Sequence, residues 1–246
     1  MRGFPPRRIC DSSSLPRGRR GAHRVDDRRV ISGIMHMLRS GARWRDCPAE
    51  YGPYTTIYNR FNRWSRQGIW LAMFEALTGN TGVIGTAAID SSHVKAHRSA
   101  AGGKGGPSEA IGRSRGGRTT KLHALTDAAG RPRVLLITPG NLHDVVMAPE
   151  LLRAAGPIER LIADKAYDTN KLRRLLLERR TEAVIPSIAR RKPLIPYDPE
   201  AYRQRNLIER MFGRLKDFRR IATRYDKLAR NFLASIVLAA TITWWT

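Results

Sequence analysis

The sequence predicts an α/β fold: a mixed sheet with helices on its faces, preceded by a small helical module. Three observations carry this. From about Gly82 onward, short β-rich runs alternate with segments of helical period. Two of those runs, residues 120–126 and 133–138, flank Asp127-Ala128-Ala129-Gly130, a hairpin signal. Before Gly82 the periodicity is helical and aromatic side chains crowd the helices. A length of 246 residues allows one or two domains, and the pattern change places the boundary between residues 1–82 and 83–246.

The elements follow in order. Residues 1–29 carry nine Arg against three acids, with Pro5, Pro6, Pro16 and Ser12-Ser13-Ser14, and read as irregular. Val30, Ile31, Ile34, Met35, Met37 and Leu38 recur at three-to-four spacing, a helix that Asp26 or Asp27 caps and Gly41 stops. Residues 55–66 and 68–77 read as two further helices, with Trp44, Tyr51, Tyr54, Tyr58, Phe61, Trp64, Trp70 and Phe74 mostly as their core. Such a module suits DNA as a helix-turn-helix variant, with Arg39, Arg43, Arg45, Arg60 and Arg63 available for base edges or phosphates. Residues 83–90 form a strand, and a Gly-rich basic loop spans 98–119 before the hairpin. Asp144 is placed to cap a helix running to about 154, and residues 160–163 make a short buried strand leading into Asp164. Thr169 caps a helix over 171–180, and 182–186 is another strand. A Pro-rich basic linker spans 190–199, followed by a long helix over 201–221 and an apolar one over 231–244. The order β-β-β-α-β-α-β-α, with right-handed crossovers, gives the mixed sheet.

Charge narrows the function. Lys and Arg number 45 against 21 acids, a net charge of +24, and 37 of the 45 are Arg. Such an imbalance is self-repulsive unless a polyanion shares the surface. Nucleic acid is the usual one, bound with counterion release, and Arg suits phosphates and base edges. Two cysteines, Cys10 and Cys47, exclude a disulfide framework and fit a reducing cytoplasm. The longest apolar run, residues 232–245, is 14 residues, short of the roughly 18 that span a bilayer. The expected setting is cytoplasmic, with no membrane partner, and nucleoid-associated.

Three acids sit where this sheet gathers functional groups. Asp90 ends the first strand and Asp164 the fourth, and those strands are neighbours in this topology. Glu209 lies mid-helix. At about 100° per residue, Tyr202, Arg205, Glu209 and Lys216 share a stripe about 60° wide, with Leu207, Met211 and Leu215 on the core side. Carboxylates on rigid elements hold hard cations such as Mg²⁺. Two such ions activate a nucleophile and stabilise the leaving oxygen of a phosphodiester. Arg205 and Lys216 would hold phosphate oxygens. A solvated polar face has the same spacing, and a strand-end Asp also caps turns.

On these residues the sequence resembles the DDE transposases of bacterial insertion sequences, most closely the insertion-sequence-five family. Tyr202-x₂-Arg205-x₃-Glu209-x₆-Lys216 matches the signature of the related insertion-sequence-four group without a gap. Ile89-Asp90-Ser91-Ser92-His93-Val94 is similar to the first-Asp motif. Ile162-Ala163-Asp164-Lys165-Ala166-Tyr167-Asp168 is similar to the second. Gly112-Arg113-Ser114-Arg115-Gly116-Gly117 with Thr119-Thr120-Lys121-Leu122-His123, Asn141-Leu142-His143-Asp144, and the ending over 219–227 also match. The resemblance implies a ribonuclease-H-like catalytic domain with Asp90, Asp164 and Glu209 as the catalytic, metal-binding triad. It implies two Mg²⁺ ions, with Mn²⁺ able to substitute, and DNA cleavage and strand transfer at terminal inverted repeats. It also implies double-stranded DNA as partner, and a homodimer or larger synaptic assembly. Tyr202, Arg205, Lys216, Arg113, Arg115 and Lys165 are the expected DNA contacts. Only 44 residues separate Asp164 from Glu209, too few for a large inserted domain.

Relatives carry an amphipathic N-terminal helix with a Trp before Leu-Pro. Here Asp11-Ser12-Ser13-Ser14-Leu15-Pro16 is polar and lacks that Trp, which reads as a truncated or altered segment. A catalytically impaired DNA-binding copy is therefore the alternative, and Ala166, where relatives often have Gly, is a milder departure. His93 and His97 have the spacing of a zinc pair, but no second pair follows, so they read as polar loop residues. His143 falls near the acids, Lys104 near a phosphate, and Trp244 and Trp245 in the core or a dimer contact. Removing residues 1–80 is expected to leave a folded catalytic domain that binds DNA without sequence preference.

Overall fold

The computed structural model describes residues 26–79, 82–101 and 109–246. Expectations for residues 1–25, including Cys10 and the altered stretch 11–20, and for Lys104 lie outside them. The chain order is α1 (Asp27–Ser40), α2 (Tyr54–Arg66), α3 (Ile69–Thr78), β1 (Ile84–Ala96), α4 (Arg98–Ala101), β2 (Gly112–Ser114), β3 (Gly117–Asp127), β4 (Pro132–Pro139), α5 (Ala148–Ala155), β5 (Ile158–Ile162), α6 (Asn170–Glu178), β6 (Glu182–Val184), α7 (Pro199–Tyr202), α8 (Asn206–Lys216), α9 (Arg219–Ala222), β7 (Thr223–Arg224) and α10 (Ala229–Trp244).

Local signals set most of these. The Asp26 carboxylate accepts the Arg28 N–H at the start of α1, and Gly41 ends that helix in the left-handed region at φ 71°. Thr169 caps α6 through the Leu172 N–H, and Asp198 caps α7 with Pro199 at its first position.

The sheet runs β4-β3-β1-β5-β6. β3 pairs antiparallel with β1 on one side and β4 on the other, while β5 and β6 extend β1 in parallel. β2 pairs with the start of β3, and β7 with the end of β1. This is the predicted mixed sheet. Side-chain alternation splits the core in two. Ala87, Ile89, Leu125, Leu161 and Ala163 pack on α5 and α6. Ala88, Val94, Leu122, Ala124 and Ile162 pack on the opposite layer of α1–α3, α8 and α10.

Several expectations change. β1 does not stop at Asp90 but continues to Ala96, because β3 pairs with it as far as Lys95. Its parallel partner β5 stops level with Ala88, and β7 begins level with Lys95, so Asp90 sits in the gap between them. The helix expected over 201–221 is broken by a 3₁₀ turn at Arg203–Arg205 and an extended Phe218. Ile208 and Phe212, rather than Leu207, join Met211 and Leu215 on the buried face of α8. Asp144 caps no helix: it opens a 3₁₀ turn (Asp144–Met147), and its side chain turns to other partners.

The first three helices are not an independent body. Val30, Ile34, Phe61, Trp64 and Trp70 share one core with Ile162, Phe232 and Ile236. α10 packs against α2, α3 and β4 at once. The Arg220 guanidinium, almost fully buried, donates to the Ala42 carbonyl at 2.8 Å, pairs with Asp226 at 3.1 Å and lies over the Trp44 ring. The pattern change at Gly82 therefore marks a change of element type and not a break in packing.

Candidate active site

Asp90 and Asp164 are brought together by strand register. Ala88 pairs with Ile162, and each acid lies two residues further along, so both carboxylates sit level and on the α8 side of the sheet. The β1–β5 ladder has ended there, so no strand pairing separates the two acids. Asp164 Oδ1 accepts the Ala166 N–H at 2.9 Å, which turns the chain into a 3₁₀ turn (Lys165–Tyr167). Asp90 Oδ1 accepts the Ser91 N–H at 2.7 Å.

The stripe on α7 and α8 faces these acids. Arg205 donates to Asp90 Oδ2 at 3.0 Å and, on its other side, to Glu209 Oε1. Its guanidinium lies over the Tyr202 ring at 5.8 Å. Lys216 donates to Ser92 Oγ at 2.6 Å. Two stripe residues, Arg205 and Lys216, thus reach β1, and Tyr202 and Glu209 flank Arg205, although the helix between Tyr202 and Glu209 is interrupted. Arg205 stands between Asp90 and Glu209, whose side chain is 53% exposed. Among the described residues no three acids, histidines or cysteines gather around one point.

Burial pushes the Asp90 carboxyl up to about 6; the neighbouring Asp164 and Asp144 charges add to this, while the Ser91 N–H and Arg205 oppose it. The raised value means that, between about pH 4 and 6, the folded chain keeps a proton the unfolded chain has released. Stability without metal therefore falls as pH rises through that window. Asp90→Asn removes the titration and is expected to melt above the parent at about pH 8, with the gap closing near pH 4. Thermal melts at both pH values check this; an equal gap at the two would remove Asp90 as its source.

A second polar group lies on the opposite face. Ser91 Oγ donates to Asp144 Oδ1 at 2.5 Å, and Lys121 Nζ pairs with the same oxygen at 2.7 Å and donates to the Leu142 carbonyl at 2.6 Å. Burial would raise Asp144, but the Lys121 and Ser91 hydrogen bonds outweigh it and hold the carboxyl below its ordinary value. His123 is fully buried against Thr138 Oγ1 at 2.8 Å, and burial pushes its ring down to about 4, so it is neutral at neutral pH. Ser91, Lys121 and His123 fall within the sequence motifs but carry no role predicted from them. The available signal was a Lys and a His at alternate positions of a strand otherwise patterned for burial.

Other expected residues are placed as follows. Arg113, Arg115 and Lys165 are exposed. Arg43, Arg45 and Arg63 are exposed, whereas Arg60 is buried, paired with Asp27 and stacked over Trp64 at 5.2 Å, and so is withdrawn from any base edge. His93 lies in β1 with its ring at 3.0 Å from the Gly140 carbonyl, and His97 packs on Tyr225. They form no metal pair.

The strand order, three successively antiparallel strands β4, β3 and β1 extended by parallel β5 and β6, with Asp90 and Asp164 level on the adjacent parallel strands, defines the ribonuclease-H-like class. Residues 82–244 match the family model described as "Transposase DDE domain", and residues 12–74 match "Putative transposase of IS4/5 family". The chain belongs to this family of insertion-sequence DDE transposases. It is similar to a Brucella ovis protein named "Putative transposase for insertion sequence element IS6501", 36% identical over 127 residues, covering 51% of this chain and 98% of that one. A Burkholderia cepacia protein named for IS402 is 31% identical over 137 residues, covering 51% of this chain and 63% of that one. Among solved structures, the Mos1 Strand Transfer Complex aligns over 93% of this chain and 79% of that one at 11% identity, with a TM-score of 0.31. No helix among the described residues is long and apolar enough to cross a membrane.

Proposed function

We propose that this transposase cleaves a phosphodiester at each terminal inverted repeat of its element and joins the freed 3′-OH to target DNA. Asp90, Asp164 and Glu209 are its catalytic acids. The observation that carries the reading is the level placement of Asp90 and Asp164 on adjacent strands, with Glu209 linked to Asp90 through Arg205. Two hard oxygen donors side by side on rigid elements fit a small divalent cation. Mg²⁺ is the expected ion, in a pair, with Mn²⁺ substituting. Bound there, such ions supply Lewis acidity for the attacking and leaving oxygens. Glu209 completes the set when the Arg205 guanidinium moves from between the acids onto a DNA phosphate.

The remaining residues position the DNA. Arg205 and Lys216 flank Glu209 and offer cations to phosphate oxygens; Tyr202 holds Arg205 by its ring, and Arg113, Arg115 and Lys165 are exposed for the backbone. The α1–α3 layer, with exposed Arg43, Arg45 and Arg63, supplies repeat recognition. Pairing two ends requires a dimer or larger assembly, acting at the nucleoid. Incubation with DNA carrying the element's terminal repeats and Mg²⁺ is expected to release 3′-OH ends, and chelation to stop it. Persistent cleavage in chelator would remove the cation from the reading.

Arg205→Ala and Lys216→Ala are expected to lower strand transfer by about 10- to 100-fold, the range of a hydrogen bond to a charged group. DNA affinity should hardly change, since two cations are few among 45. Strand-transfer yield measured beside a binding isotherm separates the effects. An equal loss from a distant Arg such as Arg174 would deny the stripe a special role.

A further inference from the structure

We propose that Asp144, with Lys121 and Ser91, is a positioning group that aims the two catalytic aspartates from the far face of the sheet. The inference rests on the reading of Asp90 and Asp164 given above. Three segments distant in sequence converge here: β1 brings Ser91, β3 brings Lys121, and the 144–147 turn brings Asp144. As a stabilising device the pair is poor. Lys121 is 7% exposed and Asp144 30%, and desolvating two charges offsets most of their attraction. Apolar side chains fill the same face at Ile89 and Leu125.

Direction is what the pair supplies. Successive strand residues point to opposite faces, so fixing the Ser91 hydroxyl on the far face fixes Asp90 on the near one. The Ser91 N–H also grips Asp90 Oδ1 at 2.7 Å. The same anchor reaches the second acid. The 144–147 turn packs against Lys165–Tyr167, whose Ala166 N–H holds Asp164 Oδ1. Tyr167 is fully buried in this turn, close enough to Asp144, Asp90 and Asp164 that their charges add to burial in raising its phenol. The Asp144 carboxylate thus braces the chain immediately after Asp90, and the turn it opens packs on the chain immediately after Asp164.

The test is calorimetric titration of Mn²⁺ into the metal-free full-length chain and its variants, with melting temperatures alongside. Asp144→Asn and Ser91→Ala are expected to bind Mn²⁺ about 10-fold more weakly, as when a group orienting a metal ligand is removed. Ser91→Thr keeps the hydroxyl and should bind like the parent. The double variant Asp144→Asn/Ser91→Ala should bind no more weakly than either single one, because both cut the same link. Nicking of supercoiled plasmid should fall in step and recover as Mn²⁺ is raised. A lower melting temperature with parental Mn²⁺ affinity would reduce the pair to a structural role and overturn the inference, as would losses that simply add. Half-buried Ser91 carries the test if Asp144→Asn fails to fold. Asp90→Ala separates the two readings. If it keeps parental Mn²⁺ binding, the cation site and this inference fall together; if it alone loses binding, only the inference falls.

Discussion

Asp90→Ala is expected to abolish metal-dependent cleavage while leaving DNA affinity nearly intact. Asp90 lies at the centre of the site's contacts. It lies level with Asp164, takes Arg205 on one oxygen and is held by Ser91 on the other. Losing it removes a hard oxygen ligand from a site with few. Charge stabilisation of several kcal/mol, about 4 or more, goes with the ion, and at about 1.4 kcal/mol per tenfold the rate falls by about 10³ or more. The basic surface is untouched and even gains one unit of positive charge. Plasmid nicking with Mg²⁺, followed beside a salt-dependent binding isotherm, reads both quantities. Cleavage within a factor of about ten of the parent would contradict the assignment.

A chain beginning at residue 80 is expected to lose cooperative folding. Sequence pattern alone suggests a dispensable module, but the shared core argues for folding as one unit. α10 is buried at ten of its 16 positions, Phe232, Ile236, Val237 and Leu238 among them, so it needs partners on more than one side. β4 covers one side, and α2 and α3 another. Removing α1–α3 exposes several of these side chains at about 1.5–3 kcal/mol each, against a total stability of about 5–15 kcal/mol. The buried Arg220 also loses the Ala42 carbonyl. Thermal melting and dye binding to exposed apolar surface measure the outcome. A sharp melt with no dye binding would show that the helices ride on a self-sufficient domain. Repeat specificity is then better assigned by substituting exposed Arg43, Arg45 and Arg63 than by deletion.

Much of this protein was written in local pattern. Capped helices such as α1 and α6, the hairpin around Asp127 and Gly130, and the short buried runs before Asp164 depend on neighbours in sequence. The acids and the Tyr202-to-Lys216 stripe were legible because motif spacing and helical period act over a few residues, and the period survives the 3₁₀ turn at Arg203–Arg205. The net charge of +24 pointed to a polyanionic partner. Tertiary structure alone decided that β1 runs past Asp90, because the pairing that extends it comes from β3, about thirty residues away. It placed Arg205 between Asp90 and Glu209, 115 residues apart from the first of them, and turned Asp144 from an expected cap into a partner for Ser91, 53 residues away. It also merged the first three helices into the core of the rest. Periodicity tells which face of an element is apolar but not which other element covers it, because that depends on contacts between residues far apart in the chain.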